Sequence, residues 1–301
     1  MSAFVQRLSG SLGRRTLIGI PFLWLLLFFL IPFAIVLKIS FAEMQISIPP
    51  YSSVVEYADE SLNIVLNLGN YLFLLDDDLY AAAYLSSIQI ALNATLMALL
   101  LGYPMAYAMA RAPAHMQTTL LLLILLPSWT SFLIRIYAWM GLLSNKGLIN
   151  NALISLGVIT DPIPMMNTNF AVYIGMVYAY LPFVILPIYA NLIKHDQSLL
   201  EAAADLGCPP WKAFLTITLP LSKAGILAGF MLMFIPAVGE FVIPELLGGP
   251  DTLMIGKVLW QEFFNNRDWP VAASLAMVML LLLIIPIMIF HRQQAKELEA
   301  A

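Results

Sequence analysis

The chain has 301 residues, 61% of them hydrophobic and 11% charged, with a formal net charge of −4 and a mean hydropathy of +0.87. A soluble globular domain carries about 25% charged residues, so this composition excludes one and divides the length into apolar spans of roughly 20 residues each. The single cysteine, Cys208, excludes an internal disulfide and a cysteine-based metal site.

Residues 1–16 carry Arg7, Arg14 and Arg15 and no acid, and 17–37 follow without a charge. That run is longer than the apolar core of a secretory signal and reaches Lys38 without a small-residue cleavage site, so it reads as a retained first span. The stretch 38–82 carries Glu43, Glu56, Asp59, Glu60 and Asp76 to Asp78. Its Ile, Val and Leu content predicts a small packed cap or interfacial segment. A second span is expected over 85–110. The third, 117–143, contains Pro127 and then the polar Ser128-Trp129-Thr130-Ser131, which predicts a broken helix. Residues 144–161 read as a loop. A fourth span over 170–192 holds Pro182 and Pro187, and the fifth and sixth are expected over 224–246 and 269–290. The whole length, 1–301, is expected to form one transmembrane domain, all-α and of six helices.

The polar interruption at 195–220 reads as two short helices with a sharp break. Ser198 and Glu201 have the spacing of a capping box, hydroxyl to the amide of 201 and carboxylate back to the amide of 198. Leu199 to Leu206 is rich in good helix formers. Gly207 suits the left-handed position that ends a helix, and Pro209-Pro210 forbids continuation. A second amphipathic turn, Trp211 to Thr218, is expected to end at Pro220. Glu201-Ala202-Ala203, three residues, Gly207, nine residues, then Ile217-Thr218-Leu219-Pro220 resembles the EAA loop of ABC importer permeases. The resemblance implies that these residues form cytoplasmic coupling helices that dock on an ATPase subunit. A surface helical corner between two spans is the plainer alternative.

Six spans place both termini on one side. With the N-terminus, 111–115, 191–223 and the tail in the cytoplasm, that side holds Arg7, Arg14, Arg15, Arg111, Lys194, Lys212, Lys223, Arg292 and Lys296, nine of the 14 basic residues. The excess of Lys and Arg favours this orientation, which also puts the 195–220 loop where ATP is.

The chain has no phosphate-binding loop of its own, since Gly256-Lys257 lacks the flanking pattern. His115, His195 and His291 show no metal spacing. Glu240 follows 16 uncharged residues after Lys223, about 24 Å of helix against a hydrocarbon core of about 30 Å. It is therefore expected in the outer part of the fifth span, where an ionisable group costs on the order of 3 kcal/mol and marks a functional candidate. Trp129 beside the expected break is a second candidate for the substrate pathway, and Glu245 and Tyr137 are further ones. Structural alternatives are a partner-paired Glu240, a solvated Glu245 at the membrane boundary, and an anchoring belt for Tyr137 and Trp139. Asn265 to Pro270 reads as a cap on the sixth span.

The runs LPSWTSFLIRIYAWMGLL (126–143), VYAYLPFVILPIY (177–189), FIPAVGEFVIPELLGGP (234–250) and FFNNRDWP (263–270) resemble the polyamine branch of binding-protein-dependent permeases, most of all the permease subunit of putrescine importers. The resemblance implies a type I ABC importer bundle in the bacterial inner membrane. It also implies a second, homologous permease, two ATPase subunits that bind ATP and Mg, a periplasmic polyamine-binding protein, and no nucleic acid. No cofactor is expected on this chain. A diammonium substrate calls for carboxylates and aromatic faces, the types that Glu240 and Trp129 supply. A secondary transporter using Glu240 as its proton carrier would instead need inverted repeats. A membrane enzyme would need clustered catalytic residues, which the sequence does not contain.

Overall fold

The computed structural model describes residues 16–58 and 61–300; Arg7, Arg14, Arg15, Asp59 and Glu60 lie outside them. In chain order the elements are α1 (Thr16–Ser40), β1 (Val55–Ala58), β2 (Ser61–Ile64), α2 (Gly69–Asp76) and α3 (Asp78–Arg111). Next come α4 (Ala114–Trp129), α5 (Phe132–Leu143), α6 (Leu148–Ser155) and α7 (Asn169–Leu192). The remainder is α8 (Ser198–Asp205), α9 (Pro210–Leu221), α10 (Lys223–Val238), α11 (Val242–Leu247), α12 (Ile255–Trp260) and α13 (Trp269–Ala300). Among the described residues four helices, α1, α3, α7 and Trp269–Met288 of α13, are long and apolar enough to cross a membrane. Two bent pairs raise the number to six: α4 with Phe132–Ser155, at 87°, and α9 with α10, at 63°.

The chain divides into two compact units. The smaller comprises residues 16–76 and Gln261–Val278. Its helix α1 buries none of its apolar residues, as Leu17, Phe22 and Trp24 show; a helix apolar on every face needs lipid or another chain around it. The expected cap after it contains a two-stranded antiparallel hairpin, Val55 opposite Ile64 through Ala58 opposite Ser61. Side-chain amides tie this segment together: Asn70 Nδ2 donates to the carbonyls of Ser40 and Ala42 at 2.9 and 2.8 Å. Asp268 caps the start of α13, its Oδ1 accepting from the amide of Val271 at 3.0 Å. Burial pushes the Asp268 carboxyl above the usual carboxylate range, against the opposing effect of that hydrogen bond.

The larger unit is Asp77–Trp260 with residues 279–300. Asp77 caps α3 by accepting from the amide of Leu79 at 2.9 Å. Helices α3, α7 and α10 pack on one another as its centre, with α5 and α11 packed against α7. Met176, Val184, Ile185 and Ile188 of α7 are fully buried, with Ile136 of α5, Met233 of α10, and Ile243 and Leu247 of α11. Small residues set the close spacing. A Cβ on Gly225 would stand 3.0 Å from the Pro187 carbonyl, and one on Gly229 2.9 Å from that of Val184. The backbones of α7 and α10 therefore touch where only glycine fits.

Three expected features differ. The fifth span is not continuous over 224–246: the helix stops at Val238, and Gly239 to Phe241 separate it from α11. Glycine disfavours helix continuation, and the next side chain, Glu240, caps the helix that follows. The 144–161 stretch is not simply a loop, because α6 forms within it. Its Asn150 is fully buried, donating to the carbonyls of Ser144 and Ile163 at 3.2 and 3.0 Å and accepting from the Ile163 amide at 2.9 Å. The helix through Trp211 continues past Pro220 to Leu221, with a π turn over Phe214–Thr218 leading into the proline. Proline has no N–H to continue an α-type ladder, and the wider turn precedes that missing donor.

Candidate functional site

The 196–222 segment starts from its own sequence as a helical corner, and the structure changes how it is capped. Ser198 lies inside α8 and not before it, because the amides of Leu200 and Glu201 already bond the Gln197 carbonyl at 3.0 and 3.1 Å. The capping box of Ser198 and Glu201 does not form. Asp196 caps in its place, Oδ1 accepting from the Ser198 amide at 2.9 Å. That amide, with the Ser198 side chain, holds the Asp196 carboxyl below its ordinary range.

The C-terminal end of α8 closes with both bonds of a glycine-terminated helix, Gly207 N–H to Ala204 O at 2.8 Å and Cys208 N–H to Ala203 O at 2.9 Å. Gly207 has φ +74 and open space around its Cα. The glycine is required by its dihedral angle and not by crowding. Across the corner, Glu201, Ala202, Gly207 and Pro220 are exposed, Ala203 is buried, and Ile217 and Leu219 are half-buried. Leu206 and Trp211 stand 87% and 67% exposed, an apolar tip for a polar loop. The inner side is clasped to α3: Phe214 meets Tyr103 and Tyr107 edge-on at 5.7 and 5.6 Å. Tyr103 also shares a 2.9 Å hydrogen bond with Ser222, at the bend into α10.

At the other end of α10 stands Glu240, 7% exposed. Its two carboxylate oxygens have different partners. Oε1 accepts from the backbone amides of Val242 at 2.9 Å and Ile243 at 3.3 Å, the first turn of α11. Oε2 accepts from the Tyr180 hydroxyl on α7. Hydrogen bonds to a charged group are worth about 1.5–3 kcal/mol each, so three of them outweigh a burial cost on the order of 3 kcal/mol. The carboxylate thus holds a helix break together within this chain.

The other candidates sit apart from that cluster. Trp129 ends α4 beside the 87° bend and is 76% exposed. There Thr130 Oγ1 bonds the Pro127 carbonyl at 2.7 Å. Tyr137 is exposed on α5, and the Glu245 carboxylate pairs with Lys257 at 3.3 Å. Among the described residues no group of His, Cys, Asp and Glu could hold a metal ion. One residue was missed in the sequence, and another, beyond Trp129, was given no role there. Tyr180 is one polar-tipped aromatic among several in an uncharged span, and only the fold shows which of them meets the acid. Arg135 has a buried Nε without a hydrogen-bond partner and lies 5.8 Å from the Phe132 ring.

Comparison with known proteins places these features in a context. Residues 14–298 match the family model described as "Binding-protein-dependent transport system inner membrane component". The chain is 40% identical over 270 residues to the spermidine/putrescine transport system permease protein PotB of Escherichia coli (strain K12), covering 89% of this chain and 93% of that one. It is 37% identical over 279 residues to PotB of Haemophilus influenzae, 93% of each. Among solved structures, a bacterial alginate ABC transporter in complex with an alginate pentasaccharide-bound periplasmic protein is similar in fold. The TM-score is 0.67 at 16% identity, over 96% of this chain and 98% of that chain. The MetNI methionine ABC transporter in an inward-facing conformation matches at a TM-score of 0.55 and 13% identity, over 74% and 95%.

Proposed function

Because the chain belongs to the family of inner membrane components of binding-protein-dependent transport systems, we propose that it is the permease of an ATP-driven polyamine importer and carries putrescine inward from the periplasm. The observation that carries the transport reading is one continuous segment. The exposed corner at 198–221 turns through 63° at Ser222 into α10, which runs to the buried break at Glu240. A push on the corner reaches the core of the membrane through about 24 Å of helix. The exposed Leu206 and Trp211 support docking of that corner on another protein, in this reading the ATPase subunit that binds ATP and Mg. A secondary transporter has no use for such a corner.

The polyamine reading is supported by relatives named for spermidine and putrescine at 37–40% identity. Chemistry adds Glu240 as a carboxylate for an ammonium group, with the exposed faces of Trp129 and Tyr137 as cation–π surfaces worth about 0.5–2 kcal/mol each. In this reading the termini are cytoplasmic, and a second homologous permease, two ATPase subunits and a periplasmic polyamine-binding protein complete the transporter. The test is the intact complex in lipid vesicles, with ATP hydrolysis and uptake followed under putrescine or spermidine. Stimulation by putrescine above spermidine is expected. Stimulation by spermidine alone would reassign the substrate, and none by either would overturn the polyamine reading.

A further inference from the structure

We propose that Tyr180 is a positioning residue that occupies the cation subsite on Glu240 in the substrate-free protein, and that an ammonium group of the substrate displaces its hydroxyl from Oε2. The inference rests on the substrate-pathway reading of Glu240 and adds the atom and the displaced group. The two oxygens divide the work. Oε1 is committed to the amides of Val242 and Ile243, which are backbone groups of α11 and cannot leave without unwinding that helix. Oε2 has one side-chain partner, the Tyr180 hydroxyl. That partner is a phenol on a different helix, and it can move by side-chain rotation alone. Tyr180 is partly exposed while Glu240 is buried. Displacing the phenol is therefore the cheaper route to the carboxylate, since it keeps the cap on α11 intact.

The exchange balances in charge. A neutral donor leaves a carboxylate oxygen and a cationic donor takes its place, so a buried anion becomes a buried ion pair. The phenol's bond is already assisted by the charge of the carboxylate; the ammonium adds the attraction of a full opposite charge at a buried site, which gives it the advantage once its own water is shed. Reversal on release restores the phenol as occupant. The carboxylate is thus never left bare between transport cycles, and the bound cation always faces a competitor that helps it leave.

Tyr180→Phe keeps the ring, which lies 6.2 Å from Phe183, and removes the competitor. The complete transporter in vesicles, with putrescine-loaded binding protein, is expected to reach half-maximal uptake at a concentration of that protein lower by roughly tenfold or more, the scale of one hydrogen bond to a charged group. Glu240→Gln is measured beside it. If Glu240→Gln abolishes uptake with normal assembly while Tyr180→Phe leaves half-saturation unchanged, the displacement idea is wrong and the pathway role of Glu240 stands. If Glu240→Gln transports normally, the pathway reading itself fails and takes the proposal with it. Should Tyr180→Phe assemble poorly, 3-fluorotyrosine at position 180 provides a second readout. Its ¹⁹F resonance is expected to shift when putrescine is saturating and to stay fixed in the Glu240→Gln background. A resonance that ignores putrescine in the otherwise native complex overturns the proposal.

Discussion

Glu240 and Gly207 show how single residues take their roles from different physics. Glu240 is held by three donors of its own chain, so a change that keeps an acceptor at Oε1 should keep the fold. Glu240→Gln leaves a carbonyl oxygen for the two amides and removes the charge. Near-normal complex yield with a loss of putrescine uptake of at least tenfold is the expected outcome, read by quantifying assembly and uptake on the same vesicles. Poor yield would instead mark the carboxylate as a purely structural clamp. Gly207 is governed by its backbone alone: at φ +74 with nothing near its Cα, a β-branched residue meets the left-handed penalty of roughly 1–2 kcal/mol. Gly207→Val is expected to reach the membrane but to lose ATPase association and uptake, while Gly207→Asn, whose side chain tolerates this region, retains most of both. Equal behaviour of the two variants would show that the corner angle is irrelevant to docking.

Among the helices, the α7–α10 pair is the contact through which the proposed motion of the corner would pass. Gly225 and Gly229 bring the two backbones into contact, and the neighbours a new Cβ would strike include the carbonyls of Pro187 and Val184. Backbone cannot rotate away as a side-chain tip would, so overpacking here costs about 1–3 kcal/mol. Gly225→Val should lower the thermal unfolding midpoint of the detergent-solubilised protein by several degrees, with less uptake per assembled complex. An unchanged midpoint would mean that α7 and α10 part easily. The pair is also why the break at 239–241 sits in a defined place: α10 is held along α7, and Tyr180 of α7 meets the first acid beyond its end.

For the whole molecule, the proposed orientation rests on the distribution of Lys and Arg, and it can be read by labelling. In a Cys208→Ser background, a cysteine at Asp251, beyond α10 and exposed, should react with an impermeant thiol reagent added outside spheroplasts. One at Gln197, before α8 and exposed, should react only after the membrane is opened. The reverse pattern would invert the topology and remove the corner from the side where ATP is. Residues 14–298 match one transport family, and the fold is shared with two bacterial ABC transporters at 13–16% identity.

The sequence alone was enough for the class and for the turn at Gly207, because each is a local property. Apolar run length sets a span, Gly207 with Pro209-Pro210 sets a turn, and Pro127 before a polar run announces the bend seen at 87°. What lay beyond it were choices made by neighbours distant in the chain. In the apolar run 224–239 Gly239 is a weak sign of an end, since glycines at 225 and 229 lie inside the helix; what stabilises the break is Glu240 bonding forward to α11 and across to Tyr180, 60 residues earlier. The capping box at Ser198 failed for a local reason instead, Asp196 two residues earlier taking the same amide. Asn150 organises a stretch that looked unstructured by pairing with Ile163, 13 residues on. Burial decided the cases of Glu240 and Asn150: a polar group removed from water takes whichever partner the packed helices bring within reach, and only the tertiary structure says which one that is.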